Sequence, residues 1–162
     1  MTHSAHNPQI SILAARRGDL EAIMILERAG FVAGEQWSER SWQGELLGEG
    51  RTILIARAHH PVGVICFQTI GELADLHRLV VAPLYRRRGI GVDLVRAGLL
   101  AVRHLGAKAA ILEVDYGNEP AIALYQGVGF EQLAARQNYY GPGRHALIMK
   151  LYDLQEDRWL AR

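Results

Sequence analysis

Apolar and polar positions along the chain change period several times, and each change marks an element. Residues 10–15 form a short apolar run that predicts a first strand. Arg17-Gly-Asp-Leu20 is then a turn whose Asp19 can cap a helix reaching about Ala29, with Leu20, Ile23, Met24 and Leu26 as its buried stripe. After the Gly30 break, Ser38 with Ser41 opens a second short helix, which Gly48-Glu-Gly50 stops. Strand-like runs at 52–57 and 62–69 flank Ala58-His-His-Pro61, a hairpin turn, and 74–81 completes a meander. Beyond Pro83 the period lengthens: apolar residues at 90, 94, 95, 99, 102 and 105 predict an amphipathic helix of about four turns, ended by Gly106. Residues 109–114 read as a buried strand and 118–126 as a helix capped by Asn118. Residues 130–135 and 146–152 are two closing strands. The predicted order is β-α-α-β-β-β-α-β-α-β-β, an α/β (α+β) chain.

A length of 162 residues fits one domain. The pattern assigns it residues 9–154, with 1–8 as a flexible leader and 155–162 as a charged tail. Eighteen basic residues against seventeen acidic ones leave a formal charge of +1, so there is no overall basic field for nucleic acid and any polyanion site is local. The single cysteine, Cys66, excludes an intrachain disulfide and points to a reducing compartment, the cytoplasm. No apolar run approaches the roughly 18–20 residues of a membrane span, and no membrane partner is expected.

Candidate chemistry begins at Arg86-Arg-Arg-Gly-Ile-Gly91. This stretch lies between a strand and a long helix, where unpaired backbone N–H groups and the positive end of the helix dipole point outward together. Gly89 and Gly91 let an anion reach the backbone, and the arginines add charge for further phosphates. Two glycines at a helix entry can also serve packing alone. A dinucleotide-binding loop would need glycine at position 94, where the chain has Leu94, and would sit nearer the chain start.

The loop, preceded by Val81-Ala-Pro, resembles the cofactor loop of the GCN5-related N-acetyltransferases (GNAT), [Gln/Arg]-x-x-Gly-x-[Gly/Ala]. Leu112-Glu-Val-Asp-Tyr-Gly-Asn118-Glu-Pro-Ala121, then Leu124-Tyr125 and Gly129-Phe130, are similar in register to the second half of that family's pattern. Arg136-Gln-Asn-Tyr139-Tyr140, Ala146-Leu-Ile-Met149 and Trp37-Ser-Glu resemble one subgroup, the RimI-type enzymes that acetylate the N-terminal amine of a small-subunit ribosomal protein. The resemblance covers nearly all of residues 9–152. It implies the GNAT fold, a mixed, mostly antiparallel sheet of about six or seven strands flanked by about four helices.

It also implies acetyl-CoA as co-substrate, with pyrophosphate on the backbone from Arg86 through Arg87, Arg88, Gly89, Ile90 and Gly91 to Val92. The pantetheine arm would lie beside Leu79, Val80 and Val81, and Asn118 would add a contact, a role compatible with plain helix capping. Glu113, a charge in an otherwise apolar strand, carries over as general base; its structural alternative is a salt-bridged residue. Tyr125, twelve residues on, carries over as general acid to the departing thiolate; its alternative is a packed aromatic. Asp75 is a reserve base that can hold a water or the incoming amine. Trp37, Tyr139 and Tyr140 would form the peptide slot.

Arg144 and His145 stand where relatives often carry an acidic pair, which bears on the target more than on the reaction. Cys66, with His77 or His104 as activator, is a formal acyl carrier, but its apolar surroundings make it a buried small residue. The His59-His60 doublet has no partner spacing for a metal, and none is expected. The expected activity is transfer of acetyl to a protein N-terminus. A lysine or small-molecule acceptor, and a non-catalytic acyl-CoA binding module, remain as alternatives.

Overall fold

The computed structural model describes residues 9–161, so the predicted leader lies outside the described residues. The chain runs β1 (Ser11–Ala14), α1 (Leu20–Gly30), α2 (Glu39–Leu47), β2 (Arg51–Arg57), β3 (Pro61–Ile70), β4 (Leu73–Val81), α3 (Ile90–His104), β5 (Ala109–Asp115), α4 (Glu119–Val128), β6 (Glu131–Arg136) and β7 (Ala146–Leu151). This is the order that the hydrophobic pattern predicts. The strands form one seven-stranded sheet, β1-β2-β3-β4-β5-β7-β6. Every neighbouring pair is antiparallel except β4 and β5.

Each face of the sheet carries its own core. On one face α1 and α2 bury Ile23, Leu26 and Trp42 against Ile55, Val64, Cys66 and Val80. On the other, α3 and α4 bury Leu94, Leu99 and Val128 against Ile65, Phe67, Leu76 and Leu112. Strand β3 is covered on both sides, which is why its sequence reads as an unbroken apolar run instead of an alternation. Contact on the α3 side is close enough that a Cβ on Gly98 would lie 2.4 Å from the Phe67 ring. A side chain at position 98 would push the helix off the sheet.

The parallel β4–β5 pair is short. It registers Leu73 through Leu76 against Ala109 through Leu112 and then ends, although β4 continues to Val81 and β5 to Asp115. At the same level the β3–β4 ladder slips: Cys66 faces Arg78 and Phe67 faces Leu76, leaving His77 as the extra residue of a bulge. A bulge adds local twist and bends its strand, and here β4 parts from β5 and the sheet forks.

The α1–α2 face is braced by a buried carboxylate. Glu27 is fully buried and accepts from Trp42 Nε1 at 3.0 Å, from the Trp37 backbone N–H at 2.8 Å and from the Arg78 guanidinium. Arg78 also lies 3.5 Å from the Phe31 ring centroid and donates to the Glu35 carbonyl at 2.8 Å. One carboxylate thus ties α1, the α1–α2 loop, α2 and β4 together.

The chain end departs from expectation. The segment read as a charged tail turns back onto the domain, burying Trp159 beside Leu154, the last residue assigned to the domain. Trp159 Nε1 donates to the Leu154 carbonyl at 3.2 Å, and Arg103 pairs with Asp157 at 2.8 Å. Two apolar residues among many charges carry no visible period, so the pattern missed them. Among the described residues no helix is long and apolar enough to cross a membrane.

Removing one partner of a buried ion pair leaves an uncompensated charge, at a cost of about 3–5 kcal/mol. Glu27→Ala is expected to lose that much in urea unfolding, with Arg78 stranded. Arg57→Ala, which breaks a partly exposed pair with Asp19, should cost less than about 1 kcal/mol. Equal losses in the two variants would show that Glu27 has no special weight.

Candidate active site

The fork opens into a cleft of about 1710 Å³, walled by β4 beyond Leu76, by β5 beyond Leu112, and by the entries of α3 and α4. Past the fork, among the described residues, the β5-facing edge of Leu79, Val80 and Val81 has no strand beside it. That edge can pair with an extended ligand as it would with a strand.

The anion loop forms one lip. Arg87 has φ 59° and Gly89 φ 83°, two left-handed residues just before α3. Such backbone turns N–H groups into one concavity, and a non-glycine residue held there costs free energy that functional loops commonly bear. Among the described residues no side chain caps α3, so its first N–H groups are open to an anion. The three arginines divide. Arg87 lines the cleft. Arg86 lines it too, but its guanidinium is bound to the Val81 carbonyl at 3.1 Å and the Gly30 carbonyl at 3.3 Å, pinning the loop to β4 and α1. The Arg88 guanidinium lies over the Tyr85 ring at 5.0 Å, away from the cleft wall, so its side chain adds no charge there. Ile90, Gly91 and Val92 line the cleft. So does Asn118, whose side chain caps α4 by accepting from the Ala121 N–H at 3.3 Å.

Strand alternation explains the charge in β5. Leu112 and Val114 are buried toward α3 and α4, so Glu113 faces the opposite side, into the open cleft. It is not desolvated, as its apolar sequence neighbours suggest; it is partly exposed and pairs with Arg136 at 3.2 Å. Tyr125 reaches the cleft from α4, with its ring 5.8 Å from that of Phe130, and burial pushes its phenol well above the ordinary range.

The expected peptide slot is only partly assembled. Tyr140 lines the cleft, and Tyr139 packs on it edge-on with ring centroids 5.1 Å apart. Trp37 does not line the cleft. It packs against Trp42 at 5.2 Å and lies 5.0 Å from the Arg78 guanidinium, inside the Glu27 cluster. Asp75 also lies outside the cleft wall; burial raises its carboxyl, and the nearby Glu113 charge adds to this.

Two features of this side are not evident from sequence. Arg144 bridges the mouth, reaching Asp115 at 2.6 Å and Glu35 at 2.8 Å. It thereby links the β6–β7 loop to β5 and to the α1–α2 loop. Asp115 is held below the usual carboxylate range by the Gly117 N–H and by Arg144. The second feature is Glu45, which gathers Arg51 at 2.6 Å, the Cys66 thiol at 3.2 Å and His77 Nδ1 at 3.2 Å. Burial pushes the Cys66 thiol up and the Glu45 charge adds to this, so the sulfur is a bound thiol and not an acyl carrier. Glu45, Cys66 and His77 place one donor atom each within 4.8 Å of one another. A protonated thiol and an arginine already on the carboxylate are poor conditions for a cation.

The chain matches the Acetyltransferase (GNAT) family over residues 20–130. It is 30% identical over 142 residues to the N-alpha-acetyltransferase RimI of Mycobacterium tuberculosis, covering 85% of this chain and 88% of that protein. An uncharacterized Mycobacterium leprae protein is 32% identical over 153 residues, 91% of this chain, and the chain spans only 42% of that protein's length. The ribosomal-protein-S18-alanine N-acetyltransferase of Escherichia coli has the same fold with a TM-score of 0.81 at 27% identity, covering 90% of this chain and 94% of that one. The open strand edge and uncapped helix entry fit a long, anionic thioester donor, and together with the match across more than half of its length they place this chain in the GNAT family of acetyltransferases, with acetyl-CoA as co-substrate.

Proposed function

We propose that this enzyme transfers the acetyl group of acetyl-CoA to the N-terminal α-amine of a protein by direct aminolysis of the thioester. The target class is a ribosomal small-subunit protein, and the cytoplasm is the site of action. The observation that carries this reading is that Glu113 and Tyr125 both line one cleft, with Tyr140 and the Arg144 bridge at its acceptor mouth. The related N-alpha-acetyltransferase RimI and the ribosomal-protein-S18-alanine N-acetyltransferase support it.

Acetyl-CoA would supply the activated carbonyl. The α3 N–H groups and Arg87 would hold its phosphates, and the free edge of Leu79–Val81 its arm. Glu113 takes a proton as the amine attacks. Tyr125 faces the leaving group. A coenzyme thiol has a pKa near 8.5 and an ordinary phenol about 10, a small gap across which full proton transfer is easy. Burial pushes the Tyr125 phenol up and widens that gap. Tyr125 therefore acts by donating a hydrogen bond to the developing thiolate, which it is always protonated to do.

Free-thiol release from acetyl-CoA should occur with short peptides bearing a free Ala or Ser N-terminus and not with blocked, lysine-containing versions. Release with lysine or small amines alone would move the acceptor class, and release with none of these despite co-substrate binding would indicate a binding module. Glu113→Gln and Tyr125→Phe should each lower kcat by about 10²–10⁴-fold, with co-substrate affinity from calorimetry nearly unchanged. Unaltered turnover in both variants would remove these roles.

A further inference from the structure

Aminolysis by a substrate that arrives as an ammonium ion removes two protons from nitrogen. The first frees the lone pair; the second leaves as the N–C bond forms and the C–S bond breaks with its electron pair going to sulfur. Both protons pass through their acceptors to solvent, and the departed thiolate takes one back from solvent, so the reaction releases one proton net. Glu113 can accept only one at a time, so a second acceptor on the amine's side of the cleft has work to do.

The fork places a candidate opposite Glu113. The last paired residues of the parallel ladder are Leu76 and Leu112, so the first residue beyond the fork is His77 on β4 and Glu113 on β5. Both line the cleft. His77 is the extra residue of the β4 bulge. Its ring packs on the α1–α2 side, where Glu45 of α2 meets it, and this is also the side to which Glu113 points.

The surroundings of His77 fix which nitrogen can accept. Nδ1 lies 3.2 and 3.3 Å from the two Glu45 oxygens. Against the burial that would raise it, hydrogen bonds from His77, Cys66 and Arg51 hold the Glu45 carboxyl down at about 2. Glu45 is thus ionised and can only accept, so Nδ1 carries the proton and the lone pair of the neutral ring is on Nε2. Nε2 lies 3.7 Å from Asp75 Oδ2, the expected reserve base, which gives a proton taken there a route onward. The charged and titratable groups around the ring are Glu45 from α2, Arg51 from β2, Cys66 from β3, Asp75 from its own strand and, beyond Asp75, Glu113 from β5.

We infer that His77, oriented by Glu45, accepts the first proton from the incoming α-ammonium, leaving Glu113 to take the second. Glu45 raises the His77 imidazole above its ordinary value, in the direction of the α-amine, which lowers the cost of the transfer. This assignment rests on the proposed N-terminal acetylation.

The test is the pH dependence of kcat/KM with acetyl-CoA and a free-N-terminal peptide, together with an NMR titration of the His77 ring. At pH 7, His77→Gln should lower kcat/KM by about 10²-fold. That deficit should shrink above about pH 8, where the free amine is already neutral in solution. Glu45→Gln removes the carboxylate that favours the imidazolium, so both the NMR midpoint and the acid limb of the rate profile should move to lower pH. A deficit in His77→Gln that is equal at every pH, or an acid limb unmoved in Glu45→Gln while the NMR midpoint falls, overturns the role of His77 alone. Wild-type protein that acetylates no free-N-terminal peptide overturns the underlying acceptor assignment as well. Should Glu45→Gln fail to fold, Cys66→Ala, which removes one of the hydrogen bonds to Glu45 without touching His77, replaces it. Loss of that bond weakens the competition for the carboxylate, so the limb should then move to higher pH, and no movement overturns the role.

Discussion

Strands β4 and β5 stay paired for only four residues before the sheet forks, and the geometry of the site follows from that short ladder. A longer ladder would close the edge of Leu79–Val81 and leave a continuous sheet with nowhere for an extended donor to lie. The bulge at His77 sets the length: one extra residue bends β4 away just where β5 begins to present Glu113. Beyond this point α3 and α4 both begin, so two helix N-termini face the widening gap. The cleft is a consequence of sheet geometry, and the side chains at its rim supply the chemistry.

An opening in a sheet must be held open. On the acceptor side the inner brace is the fully buried Glu27 with the part-buried Arg78, joined by Trp37 and Trp42. The outer brace is Arg144, whose contacts to Asp115 and Glu35 are exposed. These two differ in physical character. The buried cluster is little screened and persists with the fold, whereas exposed ion pairs are weak and screened by salt. A rigid wall and a loosely latched mouth suit the proposed acceptor, a chain end. Arg144 also offsets one of the two negative charges it joins, so the mouth offers less negative charge than the residues Glu35 and Asp115 alone would.

Much of this was legible in the chain. Alternation and helical period are strong in β2, β3 and α3, and the Arg86–Gly91 loop declares itself because glycine and arginine are needed there for stated physical reasons. Glu113 was visible as a charge in an apolar strand, but its environment was misjudged: sequence neighbours in a strand point to opposite faces, so Leu112 and Val114 say nothing about what Glu113 meets. Motif register assigns a position and not the direction of a side chain: Trp37 turns into the Glu27 cluster, and the Arg88 guanidinium lies over Tyr85. Glu27, Glu45 and Arg144 were hidden for another reason. Their partners lie 51, 32 and 109 residues away, at Arg78, His77 and Glu35, and no local pattern reports such a pairing. Trp159 was lost in a charged tail because one aromatic makes no period.

The strength of the proton acceptors bears on which amine the cleft can use. An α-amine titrates at about 7.7–8.0 and a lysine side chain at about 10.4, and at about 1.36 kcal/mol per unit the lysine costs about 3.5 kcal/mol more to neutralise. The Glu45 carboxylate raises the His77 imidazole in the direction of the first value, and the second lies further off. Glu113, partly exposed and paired with Arg136, is left the second proton, from the acidic nitrogen of the tetrahedral adduct. Neither group could draw a proton from a lysine ammonium at comparable cost. Selection for chain ends over lysine side chains can therefore arise from proton affinity as well as from the shape of the slot, and a loosely latched mouth need not supply all of it.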